Sequence, residues 1–263
     1  MVYLEQRIIE IIKFLTMENQ TALPPKPITR IIHSDIARLP RLTMSRRVIR
    51  RCLWILARLL TALLTRSKKS GQENIPSSGG VLVVSNHLGD ADIVVGLASS
   101  KRLSDFIGKI ELLDYPILGL LLEAYGFIWI HRGLPDRKAL RAAIQGLKEG
   151  RMISVAPEGR ESLTGGLEEA THGAAYLALK SGVPIMPVTL TGTQNKNVFG
   201  QLRRFHRPLV TVTIGPIFQL QEFPEWHETL EKGTRRIMVT LANQLPREYR
   251  GVYQHYCDEV PVD

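Results

Sequence analysis

Six short apolar runs, separated by segments of helical periodicity, constrain this chain more than any other feature. They cover 81–85, 105–109, 126–131, 152–156, 185–190 and 209–214. Each is short for a helix and favours Val, Ile or Leu, as a strand inside a sheet does. Between and after them, apolar side chains recur at helical spacing over 91–100, 116–125, 136–149, 170–181 and 224–245. This alternation predicts an α/β fold, with a mostly parallel central sheet flanked by helices. A chain of 263 residues has room for one such domain, assigned to 71–263, and an N-terminal helical extension over 1–70. Ligand sites in open parallel sheets lie beyond the carboxyl ends of the strands, so the chemical candidates are sought there.

The extension carries the charge. Ile36–Gln72 holds ten basic residues and no Asp or Glu. Taking these ten from the 34 basic residues of the chain leaves 24 against 25 acidic ones, so the net charge of +9 belongs to one segment. A general nucleic-acid-binding surface does not fit that distribution, and no nucleic-acid partner is expected. Residues 3–17 read as a packing helix and Thr21–Pro27 as a stiff linker. Residues 44–66 read as a second helix, with Arg47, Arg50, Arg51 and Arg58 on one stripe and leucines over much of the rest. Its uncharged end, Leu59–Thr65, is far shorter than the roughly 18–20 residues a membrane-spanning helix needs. A basic, leucine-rich helix of this kind can lie in the plane of an anionic leaflet instead, the alternative being a helix packed on the domain with its arginines in water. The expectation is a peripheral or monotopic protein on the cytoplasmic face of the cell membrane. Two cysteines without a Cys-x-x-Cys pattern, and a start lacking signal-peptide order, fit a reducing compartment.

The run Val81–Ser85 ends in Asn86-His87-Leu88-Gly89-Asp90, a stretch of turn formers, and Asp92 follows at the start of the next segment. Neutral imidazole accepts a proton near pH 7, and a carboxylate on its other nitrogen fixes the tautomer and stabilises the imidazolium. On one ideal helix, five residues turn through about 140°, which would separate His87 from Asp92. The two meet only if His87 sits in the turn and Asp92 in the first helical turn. Asp90 competes for the same role, and a capping or surface pair is the alternative reading.

Asn86-His87-x4-Asp92 and its lead-in Gly71-x-Glu73-Asn74-Ile75-Pro76 resemble the first motif of the glycerolipid acyltransferases. Three further stretches resemble that family's later motifs in order. Gly126–Gly133 is an apolar run closing on Arg132. Pro157-Glu158-Gly159-Arg160-Glu161-Ser162 matches the form Pro-Glu-Gly-Thr-Arg-Ser at four positions, with Arg160 in the threonine place and Glu161 in the arginine place. Gly182–Val188 is an apolar strand bracketed by prolines. The resemblance covers about residues 71–193. It implies that His87 is a general base oriented by Asp92, and that Arg132 binds the acceptor phosphate, helped by Arg160 and Lys109. It also implies that Glu158 and Gly159 meet the glycerol part.

The implied reaction is acyl transfer from acyl-CoA or acyl-carrier protein, as co-substrate, to the free hydroxyl of a lysophospholipid, foremost lysophosphatidic acid. No cofactor is expected. No metal is expected either, because His87 and Asp92 lack a third ligand nearby. Without Gly-x-Ser-x-Gly, a covalent acyl-enzyme is not expected. A hydrolase using the same pair, or a membrane-binding protein with altered catalysis, is the alternative.

Overall fold

The computed structural model describes residues 23–29, 36–133, 135–220 and 230–257. Its centre is a seven-stranded sheet in the order β1-β7-β6-β2-β5-β3-β4. The strands are β1 (Arg66–Ser70), β2 (Val81–Ser85), β3 (Ser104–Lys109), β4 (Ile128–Ile130), β5 (Met152–Val155), β6 (Ile185–Thr191) and β7 (Leu209–Ile214). The five from β6 to β4 run parallel. β7 is antiparallel to β6, and β1 lies parallel to β7 at the edge. The helices are α1 (Met44–Leu64), α2 (Ala91–Ser99), α3 (Pro116–Tyr125), α4 (Arg137–Lys148), α5 (Gly173–Ser181), α6 (Asn195–Leu202) and α7 (Leu230–Gln244).

The α/β expectation is met, and all six expected strands are present within a few residues. The expected strand 126–131 shortens to Ile128–Ile130, because Gly126 takes a left-handed φ of 98° to end α3. β1 is not among the expected strands, and with it the sheet begins at Arg66, upstream of the boundary drawn at 70/71. α6 was also unforeseen. The helix expected over 3–17 lies outside the described residues, as do 224–229 of the helix expected over 224–245.

Alternate residues of β2 feed two cores. Leu82 and Val84 pack with Ala143, Leu147, Leu177 and Leu241, under α4, α5 and α7. Val81 and Val83 pack with Val95, Met186 and Val212, under α2. This two-sided burial explains why β2 reads as a continuous apolar run rather than an alternating one.

α1 packs on α2 and α3, and it packs with an unusual side. Its buried residues are Arg50, Ala57 and Thr61, whereas Val48, Ile55, Leu56, Leu59 and Leu63 are exposed. Arg50 leaves the stripe expected for it with Arg47, Arg51 and Arg58. It turns inward, ion-pairs with Asp105 and donates to Ser104 O at 3.1 Å. Arg151 reaches the other oxygen of Asp105 at 3.4 Å, and the Tyr125 ring lies 4.7 Å from the Arg50 guanidinium carbon. This buried charge adds to the packing of Leu53, Trp54 and Ala57 on the domain, while Leu56, Leu59, Leu60, Leu63 and Leu64 are left outside.

Candidate active site

β2 ends at Ser85, and the chain turns through Asn86–Asp90 into α2. Asn86 stitches this end to the neighbouring strand: Nδ2 donates to Leu190 O at 2.9 Å, and Oδ1 accepts from Leu190 N at 2.8 Å. Asp92, in the first turn of α2, gathers the turn around one oxygen. Its Oδ2 accepts from Leu88 N at 2.6 Å and Gly89 N at 3.0 Å, and lies 2.8 Å from His87 Nδ1. A carboxylate oxygen only accepts, so Nδ1 carries the proton and Nε2 is left as the basic nitrogen. Asp90, the rival, lies elsewhere: its N–H donates to Asn195 Oδ1 at 2.9 Å, and its carboxylate accepts from Asn195 Nδ2 at 3.1 Å.

The loop after β5 grips the backbone of His87 from both sides. Glu158 Oε1 accepts from His87 N at 3.0 Å, and Ser162 N donates to His87 O at 2.7 Å. The second oxygen of Glu158 accepts from Glu168 N at 2.8 Å. Glu158 is fully buried, so its carboxylate serves the backbone where the resemblance implied contact with the acceptor. Gly159 supplies the left-handed φ of 71° that the turn requires; an added Cβ would meet nothing closer than Thr171 at 3.8 Å. Backbone conformation, not space, demands glycine there.

Burial pushes the Glu158 carboxyl up to about 7, against the opposing pull of its two amide donors and of His87. For His87, burial acts downward. The hydrogen bond and charge of Asp92, with the charges of Glu161 and Glu158, outweigh it and hold the imidazole above its usual 6.5.

The cations expected at the acceptor are all at the carboxyl side of the sheet, each with protein company. Arg132 follows β4, three strands from β2, or about 14 Å of sheet. Its NH2 meets Glu111 Oε1 at 3.3 Å, while its Nε is buried without a partner. Lys109 closes β3 next to it, half-buried. Arg160 points away from both, donating through Nε to Glu168 Oε2 at 2.6 Å and through NH1 to Pro24 O at 2.6 Å. The structure therefore gives Arg160 to an ion pair where phosphate contact was expected. Glu161 turns toward α6, accepting from Asn195 Nδ2 at 3.1 Å.

Residues missed from sequence hold this rim together. Thr29 Oγ1 donates to Glu111 Oε1 at 2.9 Å and accepts from Arg132 N at 2.7 Å. Lys26, from the same strap, donates to Glu169 O. No spacing rule links positions so far apart in the chain. His131 repeats the first motif's spacing with Asp136: Nδ1 and Oδ2 are 2.6 Å apart. Asp136 also accepts from Lys138 N and Ala139 N and so caps α4.

Behind His87 a cavity of about 140 Å³ runs between α2 and the sheet. Ile93, Leu97, Phe106, Met186, Val188, Val212 and Ile214 line it, and His87 and Asp92 stand on its wall. Among the described residues no three His, Cys, Asp or Glu side chains are arranged to hold a metal ion.

Residues 66–191 match the family model for acyltransferases. The 1-acyl-sn-glycerol-3-phosphate acyltransferase of Borreliella burgdorferi is 32% identical over 129 residues, 48% of this chain and 51% of its own. The enzyme of that name from Escherichia coli is 29% identical over 176 residues, 65% of this chain and 71% of its own. The chloroplastic LPAT1 of Arabidopsis thaliana is 36% identical over 126 residues. The chain thus spans about half of the Borreliella relative and 35% of the Arabidopsis one. The crystal structure of the 1-acyl-sn-glycerophosphate (LPA) acyltransferase PlsC from Thermotoga maritima superposes with a TM-score of 0.59 at 26% identity, over 76% of this chain and 81% of that one.

Proposed function

The chain belongs to the acyltransferase family, and from that premise we propose that it moves a fatty acyl group from acyl-CoA or acyl-carrier protein to the free hydroxyl of a lysophospholipid, with lysophosphatidic acid as the acceptor. One observation carries the reading: an imidazole whose Nδ1 is held 2.8 Å from Asp92, on the wall of an apolar slot.

In this reading the acyl chain lies in the slot, with its thioester carbonyl near His87. Nε2 of His87 takes the hydroxyl proton as the oxygen attacks the carbonyl, and the carrier thiolate leaves. Asp92 stabilises the imidazolium. Arg132 holds the acceptor phosphate, its guanidinium suited to two parallel hydrogen bonds, and Lys109 adds charge beside it. Glu158 acts at one remove, by fixing the peptide from which His87 projects; Gly159 gives that loop its turn. Holding base, acceptor and donor in one geometry supplies much of the acceleration.

Incubating the purified protein with labelled acyl-CoA, or acyl-carrier protein, and a panel of lysophospholipids tests the function; no acylated product from any pair would reject it. Arg132→Ala is expected to raise the acceptor KM by about tenfold or more, the worth of a charged hydrogen-bonded contact, with the donor KM unchanged. Equal acceptor kinetics in both proteins would remove Arg132 from the phosphate site. The pH profile follows from the raised imidazole: the neutral form is the base, so kcat/KM climbs with pH along a limb centred above 6.5. Asp92→Asn should lower the rate and move that limb to lower pH, because the charge favouring imidazolium is gone. A limb that stays in place would detach it from His87.

The exposed leucines and basic residues of α1 support docking on an anionic membrane surface, where the acceptor resides. No described helix is long and apolar enough to cross a membrane.

A further inference from the structure

α3 leaves four large aliphatic side chains in the open: Ile117 is 76% exposed, Leu118 42%, Leu120 70% and Leu121 43%. They occupy adjoining positions on one broad face of a ten-residue helix. The other side of the helix is seated close. At Gly119 an added Cβ would lie 2.9 Å from Leu113 Cα, so the helix rests directly on the Ile110–Asp114 turn. A face this apolar on a folded domain calls for a partner.

We propose that the exposed face of α3 inserts into the same anionic lipid surface as α1 and sets the acceptor mouth at the level of the lipid headgroups. The proposal rests on the membrane docking of α1 given above and adds a second contact to it. Three observations support it. α1 and α3 pack on each other, with Arg46 donating to Ala124 O at 3.3 Å and Glu123 O at 3.1 Å, so a surface that receives α1 has α3 beside it. The surroundings are cationic: Arg41, Arg47, Arg51 and Arg58 are exposed, and Glu123 of α3 is engaged by Trp129 Nε1 at 2.6 Å and Arg38 at 3.5 Å. A second copy seated here would bring the same cations against themselves, whereas anionic headgroups answer them. Finally, α3 starts immediately after the turn that carries Glu111, the partner of Arg132. Inserting α3 would bring that rim to the depth at which a lysolipid presents its phosphate, and the lipid would enter sideways without leaving the interface.

The test uses the full chain with Cys52→Ser and Cys257→Ser, carrying one cysteine at Leu120→Cys or, separately, at Leu63→Cys on α1. Each is labelled with an environment-sensitive fluorophore and mixed with phosphatidylglycerol–phosphatidylcholine vesicles, with or without nitroxide lipids. Blue shift and nitroxide quenching at both positions is the expected result. A label at 63 that responds while the label at 120 stays aqueous would overturn the role of α3 and leave α1 docking standing. A protein that does not sediment with the vesicles would overturn both. A label at 120 already shielded without vesicles would mean that another segment or a second copy covers the face, and would also overturn it. As a functional arm, Ile117→Ser with Leu120→Ser should cut turnover of vesicle-embedded acceptor by about tenfold or more, the cost of withdrawing two aliphatic side chains from lipid. Turnover of a monomeric short-chain acceptor should be unchanged. Equal turnover of the vesicle-embedded acceptor would count against the proposal.

Discussion

His87→Ala is expected to lower acyl transfer by about 10²–10⁴, the usual contribution of a positioned general base. The loss should come without loss of fold. Asp92 Oδ2 keeps the N–H groups of Leu88 and Gly89 when the ring is gone. The grip of Glu158 and Ser162 is on the backbone of residue 87, which alanine retains. Turnover with labelled donor, compared between variant and wild type beside an unaltered unfolding midpoint, distinguishes a chemical loss from a structural one. An alanine variant working at full rate would end the assignment of His87 as the base.

Asp105→Ala should have the largest effect on stability. The variant leaves Arg50 buried among Ser104, Tyr125 and the sheet with no counter-charge. Removing one partner of such a pair costs about 3–5 kcal/mol, a large part of a typical domain's reserve. The urea midpoint should fall accordingly. Arg50→Met combined with Asp105→Leu should return most of it, because a well-packed apolar pair replaces a buried ionic one at little cost. An unfolding free energy within about 0.5 kcal/mol of wild type for Asp105→Ala, the range of an ordinary surface substitution, would show that the ion pair does not fasten α1.

These two sites differ in how far they could be read from the chain. His87 and Asp92 were legible because a strand, a turn and a helix start follow one another within twelve residues, and that local geometry decides where the side chains go. Even so, spacing alone was not enough. His131 and Asp136 repeat it, and there the carboxylate caps α4. Arg50 was not legible. It sits among arginines that all suit a solvated stripe, and its partner is 55 residues away. β1 escaped for a different reason: Arg66-Ser-Lys-Lys-Ser70 has no apolar residue, and only its pairing with β7 makes it a strand. The role of Glu158 was half legible, since the motif marks the residue while the amides it serves, at 87 and 168, come from separate segments.

The double hold on His87 also bears on which positions of its loop are open to change. Of the six residues 157–162, this chain keeps the common form at Pro157, Glu158, Gly159 and Ser162 and departs at Arg160 and Glu161. Glu158 and Ser162 are the two that clasp His87; the departing pair goes to other side chains, Arg160 to the buried Glu168 and Glu161 to Asn195. Variation in this loop therefore falls on residues that pair with other side chains, while the two that clasp residue 87 grip main-chain atoms common to every amino acid.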